Sequence, residues 1–166
     1  MRALIKISLL GTLLLSPLAY AQWGTVVDDD LFTGGKKAIL AGDLRGNSSA
    51  LLFDCTSNTL SISYIEKHTQ KESDSVIPLN LIVKVDADEA QKMNAQSGMR
   101  NSNYMGITSD DKEKIIPILK SLQQAKNKFL VGVETKDGGH QYSNSGVVAG
   151  STKAVDQFIK ACGITL

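Results

Sequence analysis

Two cysteines, Cys55 and Cys162, are the strongest nucleophiles in this 166-residue sequence. A thiol does redox or nucleophilic work when its pKa is depressed, and catalytic dithiols usually sit close together as Cys-x-x-Cys. These two are far apart, so a structural disulfide is expected, and two cysteines allow one intramolecular pairing. Once paired, neither can act as a nucleophile. His68 and His140 are the only histidines. Neither has a Cys or His neighbour at metal-ligand spacing, so both are read as surface residues. Two acidic clusters, Asp28-Asp29-Asp30 and Asp86-Ala87-Asp88-Glu89, carry oxygen ligands of the kind calcium takes. A calcium loop starting at Asp86 would need glycine at its sixth place and glutamate at its twelfth, where Gln91 and Ser97 stand. Both clusters are read as solvated strand ends or loops.

Gly34-Gly35-Lys36-Lys37 has the composition of a phosphate cradle. It lacks the earlier glycine and the Ser/Thr after the lysine, and a strand follows it, so a hairpin loop is expected. Ser145-Gly146 and Gly150-Ser151 do not form a Gly-x-Ser-x-Gly elbow. No catalytic residue, metal or cofactor is therefore assigned, and the binding residues are unknown at this level. Aromatic residues are 5% of the chain, too few for an evident stacking platform. Trp23 is expected to pack a first strand into the core.

The elements that must position these residues follow from hydrophobic period and turn chemistry. Strands are expected at Trp23 to Val27, Lys37 to Asp43, Ser49 to Cys55 and Thr59 to Glu66, the last two joined as a hairpin. Lys67 to Ser75 reads as an exposed loop. Leu79 to Asp86 reads as a strand, Ala87 to Met99 as a short helix or long loop, and Asn103 to Thr108 as a further strand. Asp110 to Gln124 reads as a helix capped by Thr108 or Ser109, with Ile115, Ile118, Leu119 and Leu122 as its buried stripe. Pro117 either kinks that helix, the preferred reading, or opens its regular part. Lys128 to Lys136 and His140 to Ala149 flank an Asp137-Gly138-Gly139 turn as a hairpin. A last helix, Ala154 to Cys162, is expected after Ser151 as N-cap, with Gly163 closing it. In SALLFDC, Cys55 shares a face with Leu51 and Phe53. In the last helix, Cys162 shares a face with Val155, Phe158 and Ile159. Both thiols thus point where their apolar neighbours point. The fold expected is α+β and mainly β: an antiparallel sheet or small β-sandwich with two to three helices, the C-terminal one disulfide-linked to an early strand.

The opening MRALIKISLLGTLLLSPLAYAQ has the form of a signal peptide. Arg2 and Lys6 are its basic end, Leu9 to Leu15 its apolar stretch, and Ala19-Tyr20-Ala21 its small-x-small cleavage site. The domain organisation expected is a cleaved leader, 1–21, and one globular domain, 22–166. Removing Arg2 and Lys6 takes the 18 basic residues to 16 against 17 acidic, a net charge of −1 with histidine neutral. That balance gives no footprint for nucleic acid, and no later stretch is apolar enough to span a membrane. Export favours oxidation of the cysteine pair. Closing so long a loop contributes about 4–5 kcal/mol in the chain-entropy model.

The layout of an N-terminal Trp23, a strand ending in Cys55 and a final run of Gly150, Ser151, Ala154, Phe158 and Cys162 resembles a known family. It is similar to small periplasmic β-sandwich proteins of the type VI secretion-associated accessory family. It resembles the invasion-associated locus B proteins more loosely. The resemblance spans most of the chain after the leader and lapses between Glu66 and Gly106. It implies a non-enzymatic envelope protein. The function expected is therefore a periplasmic binding or accessory module, secretion-system associated in the sense the resemblance gives, with another envelope or secreted protein as partner. One alternative is a periplasmic inhibitor or immunity protein against a secreted toxin or lytic enzyme. A further alternative is a hydrolase with dispersed catalytic residues, such as His140 with Asp137 or the acidic clusters.

Overall fold

A computed structural model describes residues 21–46, 48–68 and 76–166. The expected leader, apart from Ala21, lies outside the described residues, as does 69–75 of the polar segment after the fourth strand. Nine strands form one sheet: β1 (Trp23–Asp29), β2 (Lys36–Asp43), β3 (Ser49–Cys55), β4 (Leu60–Lys67), β5 (Pro78–Val85), β6 (Gln91–Asn101), β7 (Tyr104–Ser109), β8 (Lys128–Thr135) and β9 (Gln141–Val147). Among the described residues two helices, α1 (Lys112–Gln124) and α2 (Ser151–Cys162), accompany it. The strand order is β1-β2-β3-β4-β7-β6-β5-β8-β9, and each adjacent pair is antiparallel. This is an α+β fold on a single sheet, and the two packed sheets of a sandwich are not formed.

Alternation decides which face each strand buries. Ala38 and Leu40 of β2, Leu51, Phe53 and Cys55 of β3, Ile62 and Tyr64 of β4, Leu81 and Val83 of β5 and Phe129 and Val131 of β8 all lie in the core. Both helices cover that inner face. α1 packs on β4, β5 and β6, and α2 packs on β1, β2 and α1. The sheet curls around them until its two ends meet. The Trp23 indole N–H donates to the Val147 carbonyl at 3.0 Å, and the Arg45 N–H donates to the Ser145 carbonyl at 2.9 Å. Trp23 is buried and meets Phe129 edge-on at 5.0 Å, the core role expected of it.

Three local expectations are corrected, and one open alternative is decided. The segment expected as a helix or long loop contains β6, an eleven-residue strand. Its buried residues are Met93 and Ala95 alone, and its outward face is polar, so the period-2 signal is faint. The cap of α1 is Asp111, whose carboxylate accepts from the Lys114 N–H, and neither Thr108 nor Ser109 serves. Pro117 does not open the helix, which begins at Lys112. α2 starts at Ser151 itself, after Gly150 in a left-handed conformation at φ +88°. The Ser151 hydroxyl turns away from its own helix and donates to the Leu122 carbonyl at 2.7 Å. The end of α1 leaves carbonyls without intrahelical partners, and a buried one takes the nearest donor.

Candidate functional site

The β1–β2 hairpin ends in a tight turn, Asp30 to Gly35, built by one side chain. The Asp30 N–H donates to the Gly35 carbonyl, and the Gly34 N–H donates back to the Asp30 carbonyl, each at 2.9 Å. The buried Asp30 carboxylate accepts the Phe32 N–H at 3.0 Å and the Thr33 hydroxyl at 2.6 Å. The Thr33 hydroxyl first, and the Phe32 N–H next, hold this carboxyl below its ordinary value. Gly34 sits at φ +71°, where a side chain would be strained. Asp29 and Lys36 pair across the neck, and Lys36 holds the Asp29 carboxyl low in turn.

This turn aims two large apolar side chains at solvent. Leu31 is 92% exposed and Phe32 99%. Single exposed apolar residues are ordinary, but an adjacent aliphatic–aromatic pair held out by a bonded turn is a candidate contact surface. Burying either one against a partner would contribute about 1.5–3 kcal/mol. Because the turn is already ordered by Asp30, little backbone freedom remains to be lost on contact.

A second feature lies on the outer face of the sheet. Arg100, near the end of β6, forms a two-pronged pair with Asp54 of β3 at 2.7 and 2.9 Å. β6 is three strand steps from β3, so the β6–β7 hairpin bends back over the sheet. A shift in register between Met99 and Asn101 accompanies the bend. Beneath the pair is a groove of about 410 Å³ floored by small polar residues, among them Ser61, Ser63, Gly106 and Thr108. Ser63 and Thr108 bond to each other at 2.8 Å, and the Arg100 guanidinium is spent on Asp54. Ser63 and Thr108 of the floor are thus bonded to each other, as Arg100 and Asp54 of the clamp are to each other.

The sequence candidates fall as follows. Cys55 and Cys162 form the expected disulfide, joining β3 to the end of α2 with 6.2 Å between their Cα atoms. Phe53 and Phe158, edge-on at 6.3 Å, pack beside that link. His140 is exposed in the β8–β9 turn. Its neighbour Asp137 accepts from the Thr135 hydroxyl and the Gly139 N–H, which together lower its carboxyl pKa. Asp86 accepts the backbone N–H groups of Lys126, Asn127 and Lys128, so it caps a chain crossing. Among the described residues, no group of three or more His, Cys, Asp or Glu side chains could hold a metal ion. Asp28 and Asp29 are strand residues, while Asp30 organises the turn. Sequence reasoning passed over Leu31 and Phe32. The available signal was an apolar pair set between turn-forming Asp30 and Thr33-Gly34-Gly35. The chain matches no family model, no curated protein and no solved structure.

Proposed function

We propose that this chain is a non-enzymatic binding or accessory module of the bacterial cell envelope, acting in the periplasm. It engages another envelope or secreted protein through the tip of its β1–β2 hairpin. The observation that carries the reading is the solvent exposure of Leu31 and Phe32 on a turn that Asp30 rigidifies. A surface of this kind fits an apolar pocket in a folded partner. The charges beside it, Asp28 and Asp29 against Lys36 and Lys37, nearly balance, so they lend no attraction to an anionic lipid surface. The disulfide is consistent with an oxidising compartment, and among the described residues no helix is long and apolar enough to cross a membrane. The resemblance to type VI secretion-associated accessory proteins supports the same role.

The protruding hairpin also favours a second reading, an inhibitor whose tip plugs the cleft of a toxin or lytic enzyme. Both readings are tested by photo-crosslinking from position 32 in cells. A single partner should be captured from that position, and a Leu31→Ser/Phe32→Ser protein should lose it on co-purification. Undiminished co-purification of that partner with the double variant would show that the tip is not the contact. A captured hydrolase whose activity falls on binding would select the inhibitor reading.

A further inference from the structure

The free edge of β1 has a feature that the hairpin tip does not explain. Among the described residues, β1 pairs as a strand with β2 alone, with Val26 opposite Ile39, and the chain before α2 meets it only at its start, where the Gln22 N–H donates to the Ala149 carbonyl. Both side chains stand on the outer face, 62% and 40% exposed. Two bonds fix which backbone groups of β1 are free. The Asp43 N–H donates to the Gln22 carbonyl, and the Asp30 N–H donates to the Gly35 carbonyl. Hydrogen-bonded and non-bonded pairs alternate along an antiparallel ladder. The even-numbered residues of β1 therefore bond to β2. Thr25 and Val27 turn their N–H and C=O groups outward.

We infer that this edge pairs with the same edge of a second copy, in an antiparallel two-fold register centred on Val26. In that register Thr25 of each copy faces Val27 of the other, and these are the residues whose backbone groups point outward. Val26 faces Val26 as a non-bonded pair, the type in which side chains lie closest. The row across the seam then reads Ile39, Val26, Val26, Ile39, four β-branched residues on one face. Charge is compatible with this register, which sets Asp28 opposite Gly24. Centring on Val27 would break the apolar row by setting Asp28 against Val26, and centring on Asp28 would oppose that acid to itself. A slip by half a step would set bonded residues against free ones. The acidic run at the end of β1 thus bars pairings centred toward that end of the edge. The strands run oppositely, so the two hairpin tips point in opposite directions from the seam.

The test is sedimentation equilibrium of the purified full-length protein over a wide concentration range. The expected result is twice the monomer mass, falling to the monomer mass for Val26→Lys, which sets two ammonium groups face to face. Val26→Thr keeps the β-branch and should keep the dimer. Leu31→Ser/Phe32→Ser should keep it too, which separates this surface from the tip. As a second measurement, Val26→Cys should crosslink two copies under mild oxidation, because directly opposed Cα atoms lie within disulfide reach. Asp28→Cys, displaced from its own copy along the seam, should not. A wild-type monomer at every concentration would overturn the inference, as would a dimer indifferent to Val26→Lys. A monomer that gains a strand only from another protein would overturn it as well, and would give the edge to that partner.

Discussion

Asp30 shows how one side chain can convert a charged stretch into a defined surface. Its carboxylate holds the Thr33 hydroxyl and the Phe32 N–H, and these bonds favour the ionised form. A carboxyl whose folded pKa is depressed stabilises the fold above its unfolded value and loses that contribution as pH falls through the folded value. The turn should therefore stay ordered at pH 4 and above and loosen in more acid solution. In an NMR titration the Asp30 carboxyl should have its midpoint below 3.8, with the Phe32 amide shift moving alongside. A midpoint at or above 3.8 would contradict the bonding described. The two residues the turn presents behave oppositely. Leu31→Ser/Phe32→Ser removes exposed groups, so unfolding free energy should change by no more than about 0.5 kcal/mol while partner binding is lost. Hydropathy alone could not have set these two apart from a core pair, because exposure is decided by the turn and not by residue type.

Among the elements, the strands with apolar inward positions, β2, β3, β4, β5 and β8, could be read from alternation almost to their ends. β6 could not, because one face is polar and the other carries small or flexible side chains. Its pairing with β5 and β7 makes it a strand where local propensity is indifferent. The caps of both helices were displaced for a related reason. Several residues near each start could cap, and tertiary contacts chose among them: Ser151 serves Leu122 across the α1–α2 contact. In α1, Pro117 lies in the sixth helical place, past the first turn where a missing N–H costs nothing. Its ring removes one bond, to the Glu113 carbonyl, on an exposed part of the helix. Pro117→Ala should stabilise the protein by about 2 kcal/mol, the interior proline penalty of about 3 kcal/mol less up to about 1 kcal/mol of gained unfolded-chain freedom. Chemical denaturation with an unchanged m-value would check it.

At the scale of the whole molecule, the Cys55–Cys162 link ties β3 to the last helix, and α2 in turn carries β1 and β2 on its surface. Removing the link, as Cys55→Ala/Cys162→Ala, should cost about 2–5 kcal/mol in denaturant unfolding. The side chains beside it, Phe53 and Phe158, keep the helix seated, so circular dichroism should still report a folded protein. A loss under about 1 kcal/mol would mean that packing alone fixes the helix. The sequence by itself determined the α+β class, the antiparallel character of the sheet and the cysteine pairing. Period-2 alternation, turn residues and the count of two thiols are local or combinatorial facts that need no coordinates. The tertiary structure alone decided the strand order, which inserts β7, β6 and β5 between β4 and β8, and the curl that brings Trp23 to Val147. It also decided the exposure of Leu31 and Phe32 and the open edge of β1. Those depend on which backbone and side-chain groups find partners far away in the chain, and a one-dimensional pattern records only which groups need them.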